Sequence, residues 1–317
     1  MMVAHARFRL PLTVLSFLVL SCALCVTEVL GWGCVGHMLL AEIARRQLDD
    51  ENKEKIQAMA SAFERSGPFP WSPDMVQAAC WPDDVKLWHQ RAMSSWHFYD
   101  TPYNPDNINI TDPVEAVNAV AVSLDMIIAL RNTEAPLYLL NFAWVNLVHI
   151  FGDLHQPLHT ISKYSKQHPH GDKGGNAIEV YAGGKRVTLH ALWDNICSGK
   201  APHYRRPLSY TDHFALSSTA DRLLETYEFS EALRTLVNLT EIKDESYMFA
   251  VNSSYPGVLP DASVSDDYLA QCKHVAEARI TLGGYRLGHL LNKLLSSLTV
   301  DDATLKAYGA MLRKRKM

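Results

Sequence analysis

Apolar residues recur at helical spacing along most of the chain. Near its start Met38, Leu39, Leu40, Ile43, Ala44 and Leu48 form one stripe, with Glu42, Arg45 and Arg46 opposite, and this predicts a helix that begins near His37. Positions 52–63 predict a second helix, followed by the turn-rich run SGPFPWSP. Asp83 and Asp84 come directly after Trp81 and Pro82, a setting that suits a first helical turn, where proline is tolerated and acids meet the positive helix end. Positions 113–130 and 136–153 predict two further helices. The second is apolar around most of its circumference, from Leu137 through Trp144 to Ile150, and is expected at the centre of the fold, with Pro157 ending it by removing a backbone donor. Two short β-prone stretches, 177–181 and 185–189, joined by Ala182, Gly183 and Gly184, predict a hairpin, and the pattern supports no other β-structure. Helical spacing then returns over 212–239, 241–251 and 266–298. Gly283, Gly284 and Gly288 in the last stretch allow another helix to approach closely; no strand precedes them to support a phosphate-loop reading. The chain is therefore read as mainly α with one short hairpin, without internal repeats or a domain linker.

Composition changes this picture little. The 317 residues are 48% hydrophobic, ample for a buried core, and the formal charge of -4 gives no general attraction to nucleic acid or to an anionic membrane, so any polyanion must be held by local chemistry. The ends are more informative. Arg7 and Arg9 precede an apolar run from Leu10 to Val26, and the small residues Val29 and Gly31 place a signal cleavage before Trp32. This predicts a signal peptide at 1–31 and a secreted domain at 32–317, a retained anchor being the alternative. No second run is long enough to span a membrane, and the C-terminus from Leu312 through Arg313, Lys314, Arg315 and Lys316 is basic, so no stable membrane anchor is expected. Cys34, Cys80, Cys197 and Cys272 remain after cleavage, enough for two disulfides in any of three pairings. Asn109, Asn238 and Asn252 head glycosylation sequons that fit the same secretory route.

The candidate chemistry centres on HIFGDLHQPLH, His149 to His159. His149 and Asp153 stand four apart and share one helix face, and His159 lies beyond Pro157 where the chain can turn back. So many ionisable groups on an apolar segment are costly to bury without a strong partner, which points to a metal rather than to ordinary polar residues at a helix end. His190 and Asp194 repeat the four-residue spacing after the hairpin. His37 sits at the start of a helix, five residues from the proposed new terminus, whose amine could bind the same ion. Capping is the alternative role for Asp83, and core packing is the alternative for the aromatics around His97.

In order and spacing, these residues make a known pattern. Trp32 with Gly36 and His37, Trp81 with Asp83, Trp96-His97-Phe98 with Asp100, the His149–His159 block, Gly174-Gly175-Asn176, and Leu189 to Asn195 resemble the zinc-dependent class I single-strand nucleases and 3'-nucleotidases. Details such as WPDD look most like the secreted trypanosomatid nucleases. The resemblance implies a single helical domain of the phospholipase C and class I nuclease type, monomeric, hydrolysing single-stranded DNA and RNA to 5'-phosphate products and also 3'-nucleotides. It implies three Zn2+ ions: one on Asp83, His97, His149 and Asp153, one on the amine and carbonyl of Trp32 with His37 and a shared Asp153, and one on His159, His190 and Asp194. It further implies that Asp83 orients the attacking water, that Lys86 and Asn195 contact the scissile phosphate, and that Phe98 stacks an unpaired base while Asp100 accepts its hydrogen bonds. Ligands of adjacent ions bring their backbones close, so this allocation favours Cys34 with Cys80, leaving Cys197 with Cys272. It also predicts that residues 1–31, while attached, deny Trp32 its amine, so that the full chain either misplaces Trp32 or leaves its metal position empty. The competing readings are a zinc phospholipase C and a catalytically silent zinc-binding glycoprotein.

Overall fold

A computed structural model describes residues 32–66, 71–132, 134–197 and 204–298. The signal segment 1–31 and the basic end from Leu312 lie outside the described residues. Helix α1 (Cys34–Gln47) carries Arg45 and Arg46 in its last turn, and α2 (Asp50–Ser66) opens on Asp50 and Glu51, both choices that complement the helix dipole. The Asp74 side chain caps α3 (Met75–Ala78), and α4 (Trp81–Leu87) follows with Pro82, Asp83 and Asp84 in its first turn. A 3-10 turn at Ser94–His97 leads into β1 (Thr101–Tyr103). Helix α5 (Ala119–Arg131) starts later than position 113 because Asn118 caps it, its side-chain oxygen accepting from the N–H groups of Val120 and Ala121.

Helix α6 (Leu137–Asp153) is central as its apolar surface predicts, with Trp144, Val145, Leu147, Val148, Ile150 and Phe151 all buried. Pro157 does not itself end it. The helix closes at Asp153, two tight turns carry the chain to Gln156, and Pro157 opens a 3-10 turn, Pro157–Thr160, where its missing N–H costs nothing. Next come β2 (Ile161–Lys163), the hairpin β3 (Glu179–Ala182) and β4 (Lys185–Thr188), and α7 (Leu189–Asp194).

The hairpin is not the only β-structure. β1 and β2 pair in parallel, Thr101 opposite Ile161, and Tyr99 N–H donates to His159 O just outside them (2.8 Å). Three-residue strands are too short to show a period, but this pairing clamps together the two turns that carry His97 and His159.

The helix predicted over 212–239 is broken. α8 (Tyr210–Thr226) stops before Tyr227, and α9 (Glu231–Arg234) restarts on a Ser230 cap. The break lets Tyr227 donate to Glu277 Oε2 (3.1 Å) and Phe229 pack on the core. Helix α10 (Leu239–Phe249) extends into a π-helical turn at Ala250–Ser254, and α11 (Asp266–Ser296) closes the fold. The glycines of α11 act as predicted: a Cβ at Gly284 would lie 2.5 Å from Ile43 Cγ2, and one at Gly288 would lie 2.8 Å from Ala44 O, so α1 lies directly along α11. Among the described residues the architecture is thus mainly helical with two small sheets. Among the described residues no helix is long and apolar enough to cross a membrane.

Candidate metal centre

Five imidazoles and three carboxylates from α1, α4, the Ser94–His97 turn, α6, the Pro157–Thr160 turn and α7 meet in the interior. They form three groups whose ligand atoms lie within 4.8 Å of one another: His37, His149 and Asp153; Asp83, His97 and His149; and His159, His190 and Asp194. Helical spacing brings His149 Nε2 to 3.2 Å from Asp153 Oδ2 and His190 Nε2 to 3.4 Å from Asp194 Oδ2. The tertiary fold supplies the rest. His97 Nδ1 lies 3.0 Å from Asp153 Oδ2, and His37 Nε2 lies 3.3 Å from Asp153 Oδ1 on the other side of the same carboxylate. Gly152 makes room for His37, since a Cβ there would come within 3.1 Å of His37 Nδ1.

Hydrogen bonds from behind set the imidazole orientation. His149 Nδ1 meets Ala79 O at 2.7 Å, His159 Nδ1 meets His97 O at 2.6 Å, and His190 Nδ1 meets Gly174 O at 2.7 Å. A carbonyl can only accept, so Nδ1 carries the proton in each ring and Nε2 is left with a lone pair facing inward, the arrangement of a metal ligand. The inward atoms are then poorly matched to one another. His190 Nε2 and His159 Nε2 face each other at 3.0 Å with no hydrogen between them, while both ring nitrogens of His37 and Oδ1 of Asp153 are buried without a hydrogen-bond partner. One nitrogen of the neutral His37 ring is an N–H donor; the other, with His159 Nε2, His190 Nε2 and Asp153 Oδ1, is an acceptor, and cations between these acceptors would satisfy them. The residues therefore fit bound metal.

The electrostatics agree. Burial and the His149 imidazole lower His37 to about 4, and burial with Lys86 lowers His97 to about 3, so both rings are neutral near pH 7. Burial opposes charge on Asp153, yet His149, His159 and His37 hold it well below the usual carboxylate range; Asp83, beside Lys86, is also lowered against burial. Asp194 differs, because burial dominates and His190 only partly offsets it, leaving its carboxyl raised well above the ordinary value. Burial opposes charge on His149 as well, yet Asp153 and Asp83 raise its pKa above the ordinary value. Neutral imidazole and ionised carboxylate are the ligand forms, so His149, shared by two of the groups, and Asp194 in the third must each lose a proton on binding a cation.

The other predicted residues fall nearby. Lys86 is buried and donates to Asp83 Oδ1 at 2.9 Å, inside the site. Asn195 is exposed at the end of α7; its Nδ2 donates to Ala191 O, and its Oδ1 borders Gly33. Phe98 and Asp100 are half-buried, with Phe98 outside the hydrophobic core cluster, and burial together with Asp172 raises Asp100 to about 7. Of the two alternatives for Trp32, misplacement of the side chain is not seen: the indole is fully buried and donates to Gly152 O at 3.0 Å, while Gly33 N–H donates to Asp194 O at 2.8 Å. The disulfides join Cys34 to Cys80 and Cys197 to Cys272, the first linking α1 to the residue before α4. Asn109, Asn238 and Asn252 are all exposed, and Asn238 also caps α10.

Sequence reasoning missed Gln156. Within the HQPLH block it is fully buried, donates through Nε2 to Asp194 Oδ1 at 2.7 Å and accepts from Leu158 N–H at 2.5 Å, so it orients both the carboxylate and the turn carrying His159. A glutamine among histidines was the available signal. Asp172 was also missed. Buried, it accepts from Lys163 N–H and from Tyr255 Oη (2.9 Å), holding the loop whose Gly174 carbonyl orients His190.

A mainly helical domain enclosing three His/Asp groups able to hold metal is the class that this fold and site define. The S1/P1 Nuclease family model matches residues 32–296, and the chain belongs to that family, whose members are hydrolases acting on phosphoester bonds. It is similar to Endonuclease 4 of Arabidopsis thaliana, 26% identical over 290 residues that cover 86% of this chain and 92% of the relative. Nuclease S1 of Aspergillus oryzae is 25% identical over 84% of this chain and 92% of its own length, and Nuclease P1 of Penicillium citrinum is 24% identical over 84% and 98%.

Proposed function

We propose that the domain beginning at Trp32 is a secreted, monomeric, zinc-dependent nuclease that cleaves single-stranded DNA and RNA to 5'-phosphate products and also hydrolyses 3'-nucleotides. The observation that carries this reading is the set of buried, mutually facing lone pairs on His37, His159, His190 and Asp153, which a cation cluster would satisfy. Asp83, His97, His149 and Asp153 would hold one zinc, Trp32, His37 and Asp153 a second, and His159, His190 and Asp194 a third. The family match begins at residue 32, the proposed mature terminus, whose amine and carbonyl complete the second set. Imidazole and carboxylate donors suit zinc. Bound zinc supplies charge neutralisation at phosphorus and a water that ionises near neutral pH.

The chain's own residues do the remainder. Asp83 orients the attacking water, and Lys86, pinned to Asp83 in the buried site, supplies a point charge for a phosphate oxygen. Asn195 offers a polar contact at the edge of the third set. Phe98 presents a half-buried ring for stacking, and Asp100 an acid beside it, groups that engage the edge of an unpaired base and not of a paired one. The trypanosomatid-like details of WPDD belong to the same reading. Protein beginning at Trp32 is tested on single-stranded DNA, poly(A) and 3'-AMP, with metal content measured before and after chelation. Hydrolysis of all three that stops on chelation and returns with zinc is expected. Hydrolysis of phosphatidylcholine instead would favour the phospholipase reading, and zinc binding without phosphoester hydrolysis would mark a silent metalloprotein.

A further inference from the structure

Trp71 and Trp88 are unlike the other tryptophans among the described residues. Trp32, Trp81, Trp144 and Trp193 are buried and Trp96 packs on the core, whereas Trp71 and Trp88 are 40% and 45% exposed. The two rings lie side by side, their centroids 5.9 Å apart and their planes at 46°. Large aromatic surface left in water in one patch marks a binding face more often than a packing accident. The patch and the metal centre share α4. α4 carries Asp83 and Lys86 inward, and Trp88 is its C-terminal cap residue. The following turn is fixed by His89 N–H donating to Lys86 O at 2.9 Å and Gln90 N–H donating to Val85 O at 3.1 Å, so the ring stands on a rigid support.

Spacing and charge say what fits there. At about 1.5 Å rise per residue, Trp88 stands about 7–8 Å along the helix axis from Asp83. That is about two steps of a stacked strand, at about 3.4 Å per nucleotide. The run from Trp88 to Arg91 contains no acid and Arg91 is exposed; of the carboxylates on neighbouring helix ends, Asp84 is gripped by both Nη atoms of Arg206 (2.8 and 2.5 Å) and Asp74 accepts from Gln77 Nε2 and from Gln77 N–H. An anionic strand leaving the cleavage site therefore meets aromatic faces and a cation.

Resting on the nuclease reading above, we propose that Trp71 and Trp88 form a stacking site for an unpaired nucleobase of the substrate strand, outside the pocket of Phe98 and Asp100, with Arg91 beside the adjoining phosphate. A strand several nucleotides long reaches it; a mononucleotide bound at the metal centre does not. Metal-loaded protein beginning at Trp32 is assayed on a twelve-nucleotide oligothymidylate and on 3'-AMP, as wild type, Trp71→Ala, Trp88→Ala and Trp88→Phe. Each alanine variant is expected to raise KM for the oligonucleotide about five- to tenfold, as loss of one stacked base implies. kcat should stay within about twofold and 3'-AMP kinetics should be unchanged, while Trp88→Phe keeps most of the affinity. Unchanged oligonucleotide KM in both alanine variants overturns the proposal. So does an equal loss on both substrates with Phe no better than Ala, which would make the pair structural, or a concentration-dependent dimer that only the alanine variants abolish. If wild type hydrolyses neither substrate, the nuclease reading falls and takes the stacking site with it.

Discussion

Gly174→Ala tests how far the third His/Asp group depends on the loop behind it. Gly174 has φ +60°, and a Cβ there would stand 2.2 Å from Leu158 O and 3.3 Å from His190 Nδ1. The left-handed conformation alone costs alanine about 1–2 kcal/mol. The close approach is to backbone, which no rotamer change relieves, so the loop must move and take with it the Gly174 carbonyl that meets His190 Nδ1 at 2.7 Å. Loss of an orienting contact of this kind lowers metal affinity about 10- to 100-fold, or about 1.4–2.7 kcal/mol. Gly183→Ala is the matched control: φ is +56°, but nothing lies within 4 Å of the added atom, so it carries only the backbone cost. Urea unfolding should place Gly174→Ala below Gly183→Ala in stability, and competition with a zinc chelator should show weakened binding in the first variant alone. Equal destabilisation of the two with unaltered zinc affinity would refute the claim that this carbonyl positions His190.

Asp153→Asn is expected to lose more than one metal ion, and Asp194→Asn only one, because Asp153 faces His37 through one oxygen and His97 and His149 through the other; full metal content in Asp153→Asn would contradict a bridging role. A short uncleavable extension before Trp32 should leave the indole seated but remove the terminal amine, lowering zinc content and single-strand hydrolysis together; equal values in both forms would exclude the amine as a ligand. His155 is fully buried, with Nδ1 against Phe151 O, and burial, then Arg279 and Arg286, hold its pKa well below the ordinary value. Below about pH 6.5 the unfolded chain takes up a proton there that the folded one refuses, so stability falls as pH drops, by at most about 1.4 kcal/mol per unit. His155→Gln should flatten the profile between pH 6.5 and 5 by up to that slope, and parallel profiles for the metal-loaded proteins would sink the argument.

The sequence by itself determined what depends on near neighbours. Helical periodicity located α1, α6 and α11, the Asn118 cap trimmed only the start of α5, and the pairs His149/Asp153 and His190/Asp194 were legible because four residues make about one helical turn. The motif order was enough to suggest the family and the pairing of the cysteines. Tertiary structure decided what depends on segments distant in the chain. The tautomers of His149, His159 and His190 follow from carbonyls at Ala79, His97 and Gly174, between 16 and 70 residues away. Gln156 turns inward only because Asp194 is there to accept from it, and β1 pairs with β2 only because the turns bearing His97 and His159 converge. The break after Thr226 answers to Glu277 on another helix, and Trp71 meets Trp88 across two turns that no period encodes. Local pattern reports which face of a helix is apolar; which distant atom completes a buried polar group is fixed only when the packed chain leaves that group one partner.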